Sequence, residues 1–97
     1  MKNESHSRVC IITVTGKDQV GIIARISREL AELDVNIIDV NQKIMSEELF
    51  VMTMACDMAS SSTTMSELKK RLAEAGEQLD LRINCQDEKL FTEMHRV

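Results

Sequence analysis

Ninety-seven residues, 43% of them hydrophobic, suffice for one domain with one core and not for two. A net charge of −4, with twelve cationic residues scattered among sixteen acidic ones, leaves no basic stripe to neutralise phosphates and argues against a nucleic-acid partner. Without Trp or Tyr and with two Phe, the core must be aliphatic, filled by Ile, Leu, Val and seven Met, and platforms for stacking a base or a sugar are few.

The first seven residues, MKNESHS, are polar and aperiodic and read as a flexible leader, with His6 inside it. No apolar signal region and no apolar run of membrane-spanning length follows, so the expected location is the cytoplasm with no membrane partner. Residues 8–15 (RVCIITVT) are rich in β-branched side chains and read as a central strand, apolar on both faces, that ends at Gly16. From Gly21 the period changes: Ile22, Ile26, Leu30 and Leu33 form one helical stripe, and Arg25, Arg28, Glu29 and Glu32 fall elsewhere. This helix should end near Asp34.

Residues 35–45 (VNIIDVNQKIM) return to strand character, with Ile38, Val40 and Ile44 sharing one alternate face. A polar connection of hairpin length, residues 46–48, leads to a long apolar strand over 49–58. Thr64-Met65-Ser66-Glu67 fits a capping box, and Met65, Leu68, Leu72 and Ala75 make a second helical stripe that Gly76 should stop. Residues 79–86 alternate, with Leu79, Leu81, Ile83 and Cys85 on one face. The tail, 87–97, carries Leu90, Phe91, Met94 and Val97 at helical spacing and reads as a short amphipathic helix. Cys10, Cys56 and Cys85 lie far apart, form no CxxC pair and each sit in an apolar run, so they read as buried free thiols of a reducing compartment.

The order β-α-β-β-α-β with right-handed crossovers predicts an α+β, ferredoxin-like sandwich: a four-stranded antiparallel sheet, two helices on one face, and a short C-terminal helix. The domain proper spans 8–86. The other sheet face would lack helical cover, and if it carried Cys10, Met52 or Met54 a second copy of the chain would be the simplest cover.

This architecture hosts many functions, so the site residues must discriminate. A soft-metal carrier needs a CxxC in the first strand–helix loop. An acylphosphatase needs an Arg there, and an RNA binder needs aromatics on the central strands. The loop is Gly16, Lys17, Asp18, Gln19, Val20, Gly21 and Ile22, and Phe50 is the lone strand aromatic. No Ser/His/Asp set, metal cluster or supported carboxylate pair is visible, and His95 has no nucleophile near it in sequence. The expectation is therefore a non-enzyme with no cofactor and no metal. Physically, the first turn of a helix offers exposed N–H groups and a dipole that attract a carboxylate, and Gly21 has no Cβ to block the approach. Asp18 suits a helix cap as well as a ligand contact, and Lys17 suits a solvated loop charge.

The stretch GKDQVGIIARISRELAELDVNI, residues 16–37, resembles the opening of ACT domains, with Gly21, the Ile/Leu stripe and the Asn36-Ile37 pair in the family's places. From residue 8 onward the chain is similar to small stand-alone ACT proteins of the UPF0237 group, through the GKD loop, the AEL…NI segment, the Asn in the last strand and a Phe-x-x-Met-His-Arg tail. It departs from the common pattern at Val20, where many members have Pro, and at Asp34, where many have Gly. The resemblance implies a regulatory module that binds an amino acid or related small ligand at a homodimer interface. Asp18 would engage the amino group, and Asn36 would reach in from the neighbouring subunit. Such a module would pass its signal to a separate effector protein. The alternative is a protein-interaction or dimerisation module with a vestigial groove.

Overall fold

A computed structural model describes residues 8–44, 46 and 48–94. The readings of the leader, of His6, Met45 and Glu47, and of His95 and Val97 in the tail lie outside the described residues.

The elements run in the expected order: β1 (Val9–Lys17), α1 (Ile22–Glu32), β2 (Asn36–Ile44), β3 (Leu49–Asp57), α2 (Met65–Leu79), β4 (Leu81–Asp87) and α3 (Glu88–Met94). The strands form one antiparallel sheet in the order β2-β3-β1-β4, the ferredoxin-like arrangement, with β1 and β3 central and β2 and β4 at the edges.

Register decides the core. Cys10, Ile12 and Val14 of β1 lie opposite Cys56, Met54 and Met52 of β3, and all six are fully buried. They sit under Ile22, Ile26 and Leu30 of α1 and Leu68 and Leu72 of α2. Cys10, Met52 and Met54 therefore lie on the helix-covered face, so they require no second copy to bury them. Each such aliphatic side chain contributes about 1.5–3 kcal/mol by leaving water. The other face presents half-buried Ile11, Thr13 and Thr15 beside Ala55, Thr53 and Val51.

Four local expectations change. β1 continues through Gly16 to Lys17, because Gly16 still pairs with Phe50 on one side and Leu81 on the other. A Cβ on Gly16 would stand 2.6 Å from Leu81 Cδ2, so glycine here allows two strands and a side chain to close up. Gly76 does not stop α2. It is buried within the helix, where a Cβ would fall 2.9 Å from the Leu81 carbonyl oxygen. The helix runs on through good formers to Leu79, which is thereby removed from β4, and ends at Asp80 in the left-handed region, φ 57°. Asp34 likewise takes φ 59° after α1, so the short polar side chain serves where glycine is common. Finally, a bulge between Ile37 and Asp39 interrupts β2, and Val40 and Ile44, level with Met54 and Phe50, remain exposed together with Ile38. The helices do not reach over this edge.

The seam between α1 and α2 is polar. Glu29, which lies off the apolar stripe, is 7% exposed and accepts from Arg25 Nε and from Arg71 Nε, each at 2.7 Å. Arg71 also pairs with Glu32, and Arg25 Nη2 donates to Gln78 Oε1 at 2.7 Å. The hydrogen bonds from Arg25 and then Arg71 hold the Glu29 carboxyl below the usual carboxylate range, against the opposing effect of burial.

Candidate ligand-binding site

The β1–α1 connection folds over the end of the sheet. The Asp18 N–H donates to the Glu48 carbonyl at 3.3 Å, which ties the connection to the start of β3. Gln19 Nε2 donates to the Leu79 carbonyl at 2.8 Å, which satisfies the C-terminal end of α2. Val20 is fully exposed. Gly21 takes φ 95°, a left-handed value that side-chain-bearing residues adopt at a cost, and space for a Cβ is open around it. Its conformation therefore requires glycine here, and packing does not.

Gly21 is the N-cap of α1 and supplies no capping side chain, so Asp18 is not the cap. The first N–H of the helix to be satisfied internally is that of Arg25, which donates to the Gly21 carbonyl at 2.9 Å. The first turn contains no acidic residue. The positive end of the α1 dipole is thus left without a side chain to answer it.

Against this end lies a shallow groove of about 380 Å³, lined by residues 18–24 together with Gln42 and Phe50. Phe50 is buried and Ile23 is partly exposed beside it. The groove therefore joins an apolar wall to a helix N-terminus and to two polar side chains, Asp18 and Gln42. Among the described residues the Asp18 carboxylate has no hydrogen-bond or ion-pair partner.

Of the residues singled out in the sequence, Asp18, Gln19, Val20, Gly21 and Ile22 meet at this groove. Gly16 and Lys17 do not, since β1 carries them back beneath the loop, where Gly16 borders a separate depression with Asp80 and Arg82. Asn36 and Ile37 open β2 beside Asp57 and Cys56, at the other end of the strand from Gln42. Six residues of extended chain separate Asn36 from Gln42, about 20 Å. Gln42 and Phe50 were missed by the sequence reading. Only the strand register and the tie of the β1–α1 connection to the start of β3 bring them to the loop.

A larger cavity of about 590 Å³ lies between the end of α1 and the start of α2. Several of its polar groups are engaged: Arg71 pairs with Glu29 and Glu32, and Glu67 accepts from the Thr64 N–H and from Thr63 Oγ1. These bonds, the backbone one first, hold the Glu67 carboxyl low. Among the described residues no group of three or more His, Cys, Asp or Glu could hold a metal ion. No described helix is long and apolar enough to cross a membrane.

The ACT domain profile matches residues 8–86, which include every element from β1 to β4 except the last residue of β4. The chain belongs to the ACT domain family. It is 45% identical over 87 residues to a UPF0237 protein of Listeria monocytogenes, covering 90% of this chain and 97% of that one. A UPF0237 protein of Clostridium acetobutylicum is 47% identical over 87 residues, with the same coverage. One from Methanocaldococcus jannaschii is 43% identical over 91 residues, covering 94% of this chain and 99% of the relative. Among solved structures, an ACT domain protein from Streptococcus pneumoniae superposes with a TM-score of 0.76 at 33% identity, covering 88% of this chain and 94% of that one. The regulatory subunit of aspartate kinase from Thermus thermophilus shares the fold, with a TM-score of 0.64 at 16% identity over 82% of this chain and 50% of its own. The ACT domain described here is thus a UPF0237-type regulatory module.

Proposed function

We propose that this ACT domain works as a homodimeric sensor of an amino acid or a closely related zwitterion, held in the groove at the start of α1. The observation that carries the reading is the coincidence, along one groove, of an uncapped helix N-terminus with a carboxylate, Asp18, that has no partner among the described residues. A ligand carboxylate would accept from the N–H groups of the first turn of α1, and an ammonium would face Asp18. The close approach that Gly21 allows favours the backbone contact.

Strand β2 contributes Gln42 to the groove and supports the dimer. It is a nine-residue edge strand flanked by exposed Val20, Ile23, Ile38, Val40 and Ile44, an apolar margin unusual for a free edge. Pairing two β2 strands antiparallel about a two-fold axis would carry Asn36 of the partner subunit across the 20 Å that separates it from the groove within one chain. A register centred on Asn41 would also set Asp39 against Lys43 of the partner subunit, twice. Asn36 could then hydrogen-bond the ligand as the final wall.

Thermal-shift and calorimetric titrations with the amino acids test the reading. A stabilising ligand is expected, with its effect lost in both Gly21→Ala and Asn36→Ala. Undiminished responses in both variants would remove this site. Sedimentation should show dimers that Asp39→Lys weakens and that the added Lys43→Asp restores.

A further inference from the structure

The ligand-binding reading makes no use of the three cysteines. Cys10, Cys56 and Cys85 are free and buried, and the fold gathers them from β1, β3 and β4 onto the helix-covered face of the sheet. Cys10 and Cys56 are directly opposed in register. The Met58 N–H donates to the Arg8 carbonyl at 2.8 Å, which marks that pair as hydrogen-bonded, and alternation makes Cys10–Cys56 hydrogen-bonded as well. Their Cα atoms therefore stand about 5.5 Å apart, inside the span a disulfide needs. Cys85 lies on the other side of β1, opposite Ile12 and diagonal to Cys10.

The three thiols form a connected set. The neighbouring thiols, Cys56 first and then Cys85, pull the Cys10 thiol down from the ordinary value. The neighbouring Cys10 and then burial push Cys56 and Cys85 up. Access is graded too. Cys10 and Cys56 are wholly enclosed, whereas Cys85 is 4% exposed and borders a depression of about 230 Å³ with Lys69 and Asn84 on its rim. The Lys69 cation opposes that rise at Cys85, by less than Cys10 and burial produce it. The Cys85 Sγ–H donates to Met65 Sδ at 3.7 Å.

We propose that Cys85, Cys10 and Cys56 form an oxidisable site for a hydroperoxide, entered at Cys85 and resolved inside the fold as a Cys10–Cys56 disulfide. The Cys85 sulfur attacks one peroxide oxygen, so that an S–O bond forms as the O–O bond breaks, and the departing hydroxide takes the Cys85 thiol proton and leaves as water. The Cys10 thiolate then attacks the sulfenic sulfur of Cys85. An S–S bond replaces the S–O bond, and hydroxide leaves as a second water with the proton of the Cys10 thiol. Cys56 next attacks the Cys10 sulfur, closing the cross-strand bridge and returning Cys85 as a thiol. Overall, two thiols are oxidised and one hydrogen peroxide is reduced to two waters.

The full chain, folded and treated with stoichiometric hydrogen peroxide, provides the test by intact mass, thiol counting and peptide mapping. The wild type should lose two thiols and about 2 Da as a monomeric chain, with Cys10 joined to Cys56 and Cys85 free. Cys56→Ala should stop at a Cys10–Cys85 disulfide. Cys10→Ala should form no bridge and leave a sulfenic acid at Cys85 that a 1,3-dione captures. Cys85→Ala should slow oxidation by about tenfold or more. Retention of all three thiols under conditions that oxidise the unfolded chain would overturn the proposal. So would a Cys85→Ala variant oxidised as fast as the wild type, or only intermolecular bridges.

Discussion

Helix α2 begins with Thr64 Oγ1 accepting from the Glu67 N–H at 3.1 Å while the Glu67 carboxylate accepts from the Thr64 N–H at 3.1 Å. Helix α1, the equivalent element of the first β-α-β unit, begins at a glycine that can offer nothing of the kind and has no acid in its first turn. Both helices cover the same sheet face and both bury an aliphatic stripe against it. The difference therefore does not arise from packing. One terminus is closed by its own side chains, and the other is not. An open helix N-terminus costs an isolated domain stability, so the proposed ligand would add most at the α1 end.

The largest effect on that contrast should come from the seam that holds the two helices together. Glu29→Ala removes the buried carboxylate that Arg25 and Arg71 share and should cost about 2 kcal/mol, measured by urea unfolding. Acid should report the same group. Because the folded value of Glu29 lies below the unfolded one, its contribution is complete above about pH 4.3 and is lost as the pH falls through the depressed value. The wild type should therefore lose more stability than Glu29→Ala between pH 5 and pH 2, roughly the range over which such a carboxylate titrates.

A smaller loss should follow from opening the closed terminus. Thr64→Ala deletes half of the capping box and should cost about 1 kcal/mol while leaving the response to amino acids intact. A change in ligand affinity in that variant would show that the two termini are coupled and blunt the comparison. The smallest effect should run the other way. Ile23→Glu gives α1 an acid in its first turn and should stabilise the free chain by about 0.5 kcal/mol while weakening ligand binding. A variant that binds as well as the wild type would show that the α1 terminus is not where the ligand carboxylate lands.

Much of this was readable along the chain. The strand and helix periods gave the element order, the Thr64–Glu67 spacing gave the capping box, and the loop around Gly21 stood out by its lack of alternatives. What failed were the stops. Gly16 and Gly76 look like punctuation because glycine often ends an element, but both are glycine for closeness: each lies against Leu81, where a Cβ would meet its neighbour at 2.6 and 2.9 Å. Whether a glycine marks a turn or a close approach depends on what packs against it, and no local pattern contains that. Glu29 failed for a related reason. A charged residue off the apolar stripe reads as solvated until a second helix brings Arg71, 42 positions away, against it.

The sequence by itself determined the elements, their order and the family, because period, capping and the Gly21 loop are properties of neighbouring residues. The tertiary structure alone decided three other matters. It brought Gln42 and Phe50 to the loop, it left the β2 flank bare of helix, and it drew three scattered cysteines into one cluster. The physical reason is common to all three. Strand register and helix placement set which distant side chains meet, and they are fixed by burying the whole aliphatic face at once, a cooperative choice that no single segment makes.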